Sequence, residues 1–384
     1  MTEYKLTIPC LFGIEAVVKR EIQNLGYNIA NVDDGRISFI GDAGAICKSN
    51  LWLRSGERVL LDVGQFEAKT FDELFEGIKQ LPWEDYIPES GKFWVTKASS
   101  IKSELFSPSD IQSIVKKAIV ERLKRVYKID WFKEEGVEFP MRVFIKKNIV
   151  SIGIDTSGAS LHKRGYRQFS GIAPIRESLA AGIIQLSPWN KSRVFADPFC
   201  GSGTFPIEAA MIGANIAPGL NRGFVAEEWT NLIPSKFWTD AVEEAKSLRD
   251  DSVELNIQAF DIDYKILKIA RENAKIAGVE QHIHFQEREM QKLTSNKKCG
   301  VIVTNPPYGE RLEDREKVTQ LYKEMGEQFR SLDTWSYSII TSFEDFERYF
   351  GKNADKKRKL YSGMLKTNLY QYMGPKPRYN SNLT

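Results

Sequence analysis

The chain of 384 residues is poor in cysteine and histidine, with four cysteines (Cys10, Cys47, Cys200, Cys299) and three histidines. No CxxC pair occurs and no histidine stands at ligand spacing from a cysteine, which argues against structural zinc and against a disulfide scaffold. No metal is expected. A run of about 18 apolar residues, the signature of a membrane-spanning helix, is missing. The opening MTEYKLTIPC also lacks the succession of charged, apolar and small residues that marks a secretory leader. A cytoplasmic home and no membrane partner follow as expectations. Charge of one sign is missing too: 54 basic and 51 acidic side chains leave +3, so any nucleic-acid footprint must be local. Repeats and low-complexity tracts are absent, and oligomeric state is not readable.

What is present divides into two rhythms, and the length favours two or three domains. Early on, YKLTIP and RISFIGD read as strands. GIEAVVKREIQNLG reads as a helix, with Ile14, Val17, Val18 and Ile22 at helical spacing before a terminal glycine. Helices are predicted over 71–81 and 108–127, the second capped by Ser107 or Ser109 with Pro108 in its first turn. The stripe Ile111, Ile114, Val115, Ala118, Ile119, Leu123 and Val126 faces a core. KFWVTKAS and MRVFIKKNIVSIGID bracket that helix as strands, so residues 1–155 form small α+β units built around antiparallel pairing. The segment 155–175, rich in Gly, Ser, Arg and Lys, carries the main boundary.

Beyond it strands and helices alternate: RVFADP, FPIEAAMIGA, NIQAFDID, YKILKIARENAKIAG, IHFQER, GVIVTNPP, TQLYKEMGEQFRSL, WSYSIITS. Alternation of this kind predicts right-handed crossovers and a mainly parallel sheet covered on both faces. Ligands then gather at the carboxyl ends of the strands. Three strands end there in special residues. The first runs into DPFCGSGT, where Gly201 and Gly203 admit close backbone approach but Pro206 replaces the third glycine of a dinucleotide fingerprint. Asp197 at this tip would repel a pyrophosphate, yet suits the ammonium and sulfonium of S-adenosylmethionine. A plain capping role for Asp197 is the alternative. The second strand ends in Asp261, at the position of a ribose-binding acid, with Asp263 read as a helix cap in preference to a cofactor contact. Inserted residues 214–250 separate the two tips, and their aromatics suit a core or a lid.

The third tip is Asn305-Pro306-Pro307-Tyr308. An exocyclic base amine is a poor nucleophile because its lone pair is drawn into the ring. The Asn305 amide oxygen and the Pro306 carbonyl can accept its hydrogens and free that lone pair toward a methyl donor. The prolines fix φ and lack N–H groups, and Tyr308 offers a stacking face. Taken alone, the motif also reads as a strand-ending turn.

DPFCGSGT, FDID and NPPYGER, in this order, resemble the class I methyltransferases that modify base amines. Together with IDTSGASLHKRGYR, APIRESLAAGIIQL, APGLNRGF and LYSGMLKTNLYQY, they resemble the bacterial 23S ribosomal RNA guanine-N2 methyltransferase family across nearly the whole chain. KSELFSPSDIQSIVKKAI resembles that family's THUMP helix region. The resemblance implies an α/β, Rossmann-like methyltransferase domain with a mainly parallel sheet over 161–384. It implies before it an α+β ferredoxin-like domain over 1–65 and a THUMP RNA-binding domain over 66–160. The implied activity is methyl transfer from S-adenosylmethionine to the N2 amine of a guanine in ribosomal RNA or a large-subunit precursor. Asn305, Pro306, Pro307 and Tyr308 would be catalytic. Asp197, Phe199, Cys200, Gly201, Gly203, Thr204, Asp261, Ile262 and Glu289 would hold the cofactor. After IHFQ the family often has an aspartate near the adenine amine, whereas QEREM offers Glu287 or Glu289. Some members fuse a second methyltransferase domain; with the chain ending at Thr384, a single methylation is expected. Transfer RNA and DNA adenine methylation, and a non-catalytic assembly role, are the competing readings.

Candidate RNA contacts are Lys97, Lys102, Lys116 and Lys117, the dense run His162, Lys163, Arg164 and Arg167, and KKRK at 356–359. For the dense run, packing of the domain joint is the alternative. His282 and His284 are read as structural, and Cys200 as packed, with no base nearby to make it a nucleophile.

Overall fold

The computed structural model describes residues 2–167, 174–309, 315–362 and 365–376. Outside these lie residues 168–173 of the boundary stretch, Glu310 and Arg311 of NPPYGER, and Gly363 and Met364 of LYSGMLKTNLYQY. The first elements are β1 (Tyr4–Pro9), α1 (Glu15–Asn24), β2 (Ile29–Asp33), β3 (Arg36–Gly41), α2 (Ala43–Trp52), β4 (Leu60–Glu67) and α3 (Phe71–Gln80). There follow β5 (Lys92–Ile101), α4 (Pro108–Tyr127), β6 (Glu138–Lys146), β7 (Ile149–Asp155), α5 (Glu177–Leu186), β8 (Phe195–Asp197) and α6 (Thr204–Gly213). The remainder are α7 (Ser235–Ser247), β9 (Ile257–Asp261), α8 (Tyr264–Ile276), β10 (Ile283–Glu287), β11 (Val301–Thr304), α9 (Arg315–Arg330), β12 (Ser336–Thr341), α10 (Phe346–Phe350), β13 (Lys356–Ser362) and β14 (Leu365–Tyr372).

Two compact units result. The first comprises residues 1–9, 21–161 and 223–244, the second 10–20, 162–222 and 245–384. The first unit is built on one seven-stranded sheet in the order β2-β3-β1-β4-β7-β6-β5. β4 pairs with β1 along one edge and β7 along the other, so the line between residues 65 and 66 runs through a strand shared by both halves. Pairing is antiparallel except for β5 with β6, which run parallel across the crossover helix α4. MRVFIKKNIVSIGID is a hairpin, not one strand: Lys147 and Asn148 take positive φ and turn β6 into β7. α4 is capped by the Ser107 hydroxyl, which accepts the Asp110 N–H, and it buries Ile111, Val115, Ala118, Ile119 and Leu123. Val126 at its last turn is 37% exposed, beyond the reach of that core.

The inserted segment 223–244 is core, not lid. Trp229 is fully buried, stacks on Phe139 with ring centroids 5.0 Å apart and donates its indole N–H to the Glu138 carbonyl; Phe224 stacks on Trp238.

The second unit carries a seven-stranded sheet in the order β10-β9-β8-β11-β12-β14-β13. β10, β9, β8, β11 and β12 are parallel, and the β13–β14 hairpin adds antiparallel to β12. Side chains alternate between faces along each strand, and the core divides accordingly. Phe195, Val301, Val303 and Ile340 pack with α5, α6 and α8, whereas Ala196, Ile302 and Ile339 pack with α9 and α10. Strand order reverses at β8, which has β9 on one side and β11 on the other. That is the switch point at which open α/β sheets bind ligands.

Candidate active site

The tips of β8, β9 and β11 open into one cavity of about 900 Å³. At β8 the Asp197 carboxylate is 1% exposed, and its Oδ1 accepts the Thr304 hydroxyl at 2.6 Å and the Phe199 N–H at 3.1 Å. Burial, the largest influence, pushes its pKa up from 3.8 to about 7, against the lowering effect of those two donors. The loop that follows is held open by backbone geometry. Gly201 (φ +51°) and Gly203 (φ +89°) are left-handed, and a Cβ on Gly203 would lie 3.2 Å from Cβ of Ala270. The Asn273 amide donates to the Ser202 carbonyl and pins the loop to α8. Burial raises the Cys200 thiol well above its usual range, so it is an inert wall.

Asp261 links the tips of β8 and β9. Its Oδ2 accepts the Gly201 N–H at 2.9 Å and its Oδ1 the Asp263 N–H at 3.0 Å. Each oxygen retains a lone pair for a ribose hydroxyl. Asp263 caps α8 through the Lys265 N–H. At β11, Asn305 is half-buried, Pro306 buried and Tyr308 half-buried. The Tyr308 hydroxyl donates to Asn305 Oδ1. The Pro307 carbonyl accepts a 2.7 Å hydrogen bond from the fully buried Tyr322, whose hydroxyl also pairs with Thr341 Oγ1 at 3.0 Å.

The cavity wall contains Asp197, Phe199, Cys200, Gly201, Thr204, Asp261, Ile262, Glu289, Asn305, Pro306, Pro307 and Tyr308. Gly203 stands behind it, immediately before α6. Of the two glutamates after IHFQ, Glu289 lines the cavity and Glu287 does not. Sequence reasoning missed Ile175, Phe205, Met290 and Leu321, apolar side chains whose sequence signal is that of any core residue. It missed Thr304 and Tyr322 as well, since their roles arise from contacts between distant elements: Thr304 reaches from β11 to β8, and Tyr322 from α9 to the turn after β11.

The RNA candidates fall elsewhere. Lys97, Lys102 and Lys117 are exposed on the first unit, while Lys116 is paired with Glu134 at 3.0 Å. His162 is half-buried and Lys163 exposed. Arg164 requires correction: it is 2% exposed and faces the buried Glu208, which also accepts the Tyr166 hydroxyl, so no phosphate can reach it. Arg167 is likewise directed inward. Its Nη2 donates to the Thr204 hydroxyl at 2.7 Å and the Ile175 carbonyl at 3.0 Å, and its Nε lies 3.3 Å from Glu177. His282 is buried and His284 exposed, both at the amino end of β10 away from the site.

A glycine loop at a switch point, acids on two neighbouring tips and an amide followed by two prolines on a third define a class I methyltransferase. Residues 164–371 match the profile described as the RMKL-like methyltransferase domain, 5–60 the RlmL ferredoxin-like domain and 68–155 the THUMP domain. The chain belongs to the RMKL-like methyltransferase family. It is 50% identical to Bacillus subtilis (strain 168) YpsC, provisionally named an RNA methyltransferase, over 97% of this chain and 96% of that one. It is 31% identical to the ribosomal RNA large subunit methyltransferase K/L of Syntrophotalea carbinolica, covering 94% of this chain and 52%, about half, of that relative. Among solved structures, a possible methylase from Clostridium difficile 630 superposes with TM-score 0.95 at 55% identity, over 99% of this chain and all of that one. SMU.472, provisionally named a methyltransferase and solved with S-adenosylhomocysteine, gives TM-score 0.92 at 46% identity over 98% of this chain and 100% of that one. The cofactor is S-adenosylmethionine, and the wall fits it: carboxylates for its cationic end, backbone and hydroxyl donors for its carboxylate, apolar side chains for its adenine.

Proposed function

We propose that this methyltransferase acts on RNA, and that its acceptor is the N2 amine of a guanine in 23S ribosomal RNA. One observation carries the reading: Asn305 Oδ1, at the lip of the cofactor cavity, already accepts a hydrogen bond from a donor group, the Tyr308 hydroxyl. An exocyclic amine is another such donor. S-adenosylmethionine supplies a methyl group activated by a positive sulfur.

The chain supplies alignment. Asn305 Oδ1 and the Pro306 carbonyl accept the two amine hydrogens and turn the nitrogen lone pair out of conjugation. Tyr308 gives up Asn305 and stacks on the base. The methylated amine is acidic and releases its proton to water, so no strong base is required of the pocket. Ribosomal RNA as substrate rests on the K/L relatives and on the THUMP match, with exposed Lys97, Lys102, Lys117 and Lys163 as phosphate contacts.

Purified protein with labelled S-adenosylmethionine, offered ribosomal RNA, transfer RNA or DNA, tests this. Label in ribosomal RNA recovered as N2-methylguanosine is expected. Label in transfer RNA alone, or recovered as N6-methyladenosine, overturns it.

A further inference from the structure

The described wall of the cofactor cavity holds Asp197, Asp261, Asp263 and Glu289 and not one lysine or arginine. The cofactor's amino-acid end nevertheless carries a carboxylate as well as an ammonium. Within the described wall, the carboxylate therefore finds its donors on backbone and hydroxyl groups, with no basic side chain among them.

We propose that Arg167 is a positioning residue that aims the Thr204 hydroxyl at this carboxylate. Thr204 is 5% exposed, lines the cavity and opens helix α6. Arg167 Nη2 lies 2.7 Å from Thr204 Oγ1. A guanidinium has only donors, so the direction of this bond is fixed: Thr204 accepts, and its own proton must point elsewhere. Among the described residues no acceptor takes that proton, and the open direction from a cavity-lining residue is the cavity. The same guanidinium holds the Ile175 carbonyl at 3.0 Å, so it ties together two pieces of wall, one before α5 and one at the start of α6. Glu177 Oε1 lies 3.3 Å from its Nε as an ion-pair partner on α5. A positive charge thus stands one hydroxyl behind the wall, where a carboxylate feels it through an O–H that has been polarised and oriented in advance. This rests on the family's cofactor and is independent of the acceptor base.

The test is a cycle between side chain and ligand, with no RNA present. Calorimetry compares S-adenosylmethionine with its decarboxylated analogue on the full chain and on Arg167→Met, Thr204→Val and Thr204→Ser. Wild type should prefer the carboxylate-bearing molecule by about 10- to 100-fold, the range of one charge-assisted hydrogen bond. Arg167→Met and Thr204→Val should reduce that preference to about threefold, and Thr204→Ser should keep it. Equal weakening of both ligands, with the preference intact, would mean that Arg167 only supports the fold and would overturn the proposal. If Arg167→Met does not fold, the Thr204→Val and Thr204→Ser pair decides by the same ratio. Wild type binding neither molecule would strike the cofactor assignment itself, a result separate from any failure of RNA methylation.

Discussion

Thr304 and Asp197 sit on neighbouring parallel strands, and the 2.6 Å hydrogen bond from the Thr304 hydroxyl to Asp197 Oδ1 joins the tip of β11 to the tip of β8. Asp197 titrates at about 7 instead of 3.8, so between those values the folded protein holds a proton that the unfolded chain releases. The ligand-free protein is expected to lose stability as pH climbs through that window, and to level off above it. Affinity for a ligand carrying an ammonium should move the opposite way, rising by up to about tenfold per pH unit toward pH 7. Asp197→Asn should flatten both profiles, and Thr304→Val should move the midpoint upward. Calorimetric titration of S-adenosylhomocysteine from pH 5.5 to 8.5 reads these changes.

In the proposed reaction Asn305 and Tyr308 divide the handling of the acceptor. Asn305→Ala is expected to lower the single-turnover methyl-transfer rate by about 100- to 1,000-fold while cofactor affinity stays within about twofold. Tyr308→Phe removes the hydroxyl that competes for Asn305 Oδ1 and keeps the ring, so KM for RNA should fall or hold. Tyr308→Ala should raise KM by about tenfold or more through lost stacking. A fall in cofactor affinity for Asn305→Ala would show that the amide belongs to the other half of the site.

Tyr322 lies beneath the same turn. Tyr322→Phe leaves the Pro307 carbonyl without its 2.7 Å donor, which should cost about 1–3 kcal/mol of stability. With the turn less constrained, kcat should drop about tenfold at unchanged cofactor affinity, as expected for lost alignment. Thermal unfolding and steady-state kinetics on the same preparation separate the two effects.

Arg164 and Lys102 should fail in different ways. Arg164→Ala strands the buried Glu208 carboxylate and should destabilise the fold by about 3–5 kcal/mol. Lys102→Ala should leave stability alone and lower the slope of log affinity for RNA against log salt by about 1. Denaturation curves and salt titrations of RNA binding distinguish them.

The parallel sheet and its three tips were legible because both signals are local. Alternating strand and helix periods fix the layers, and Asp197, Asp261 and Asn305 each stand where an apolar run stops. HKRGYR misled for the opposite reason. Density of charge reads as surface until the partners are known, and Glu208 and Glu177, which draw Arg164 and Arg167 inward, come from helices later in the chain. Helix α2 escaped notice because seven of its ten residues are buried and no polar face sets a period. Segment 223–244 gave aromatics without a destination. Its place in the first unit depends on Phe139, far upstream.

The chain passes between the two units at residues 9/10, 20/21, 161/162, 222/223 and 244/245, five junctions in all. No single cut therefore yields two whole pieces. A fragment starting at 162 forfeits Ile14 and Val17 from its own core, and one ending at 161 forfeits Trp229, the stacking partner of Phe139. Connectivity makes the THUMP-bearing and methyl-transfer halves inseparable as gene segments, so swapping one for another specificity requires exchanging a discontinuous set of residues.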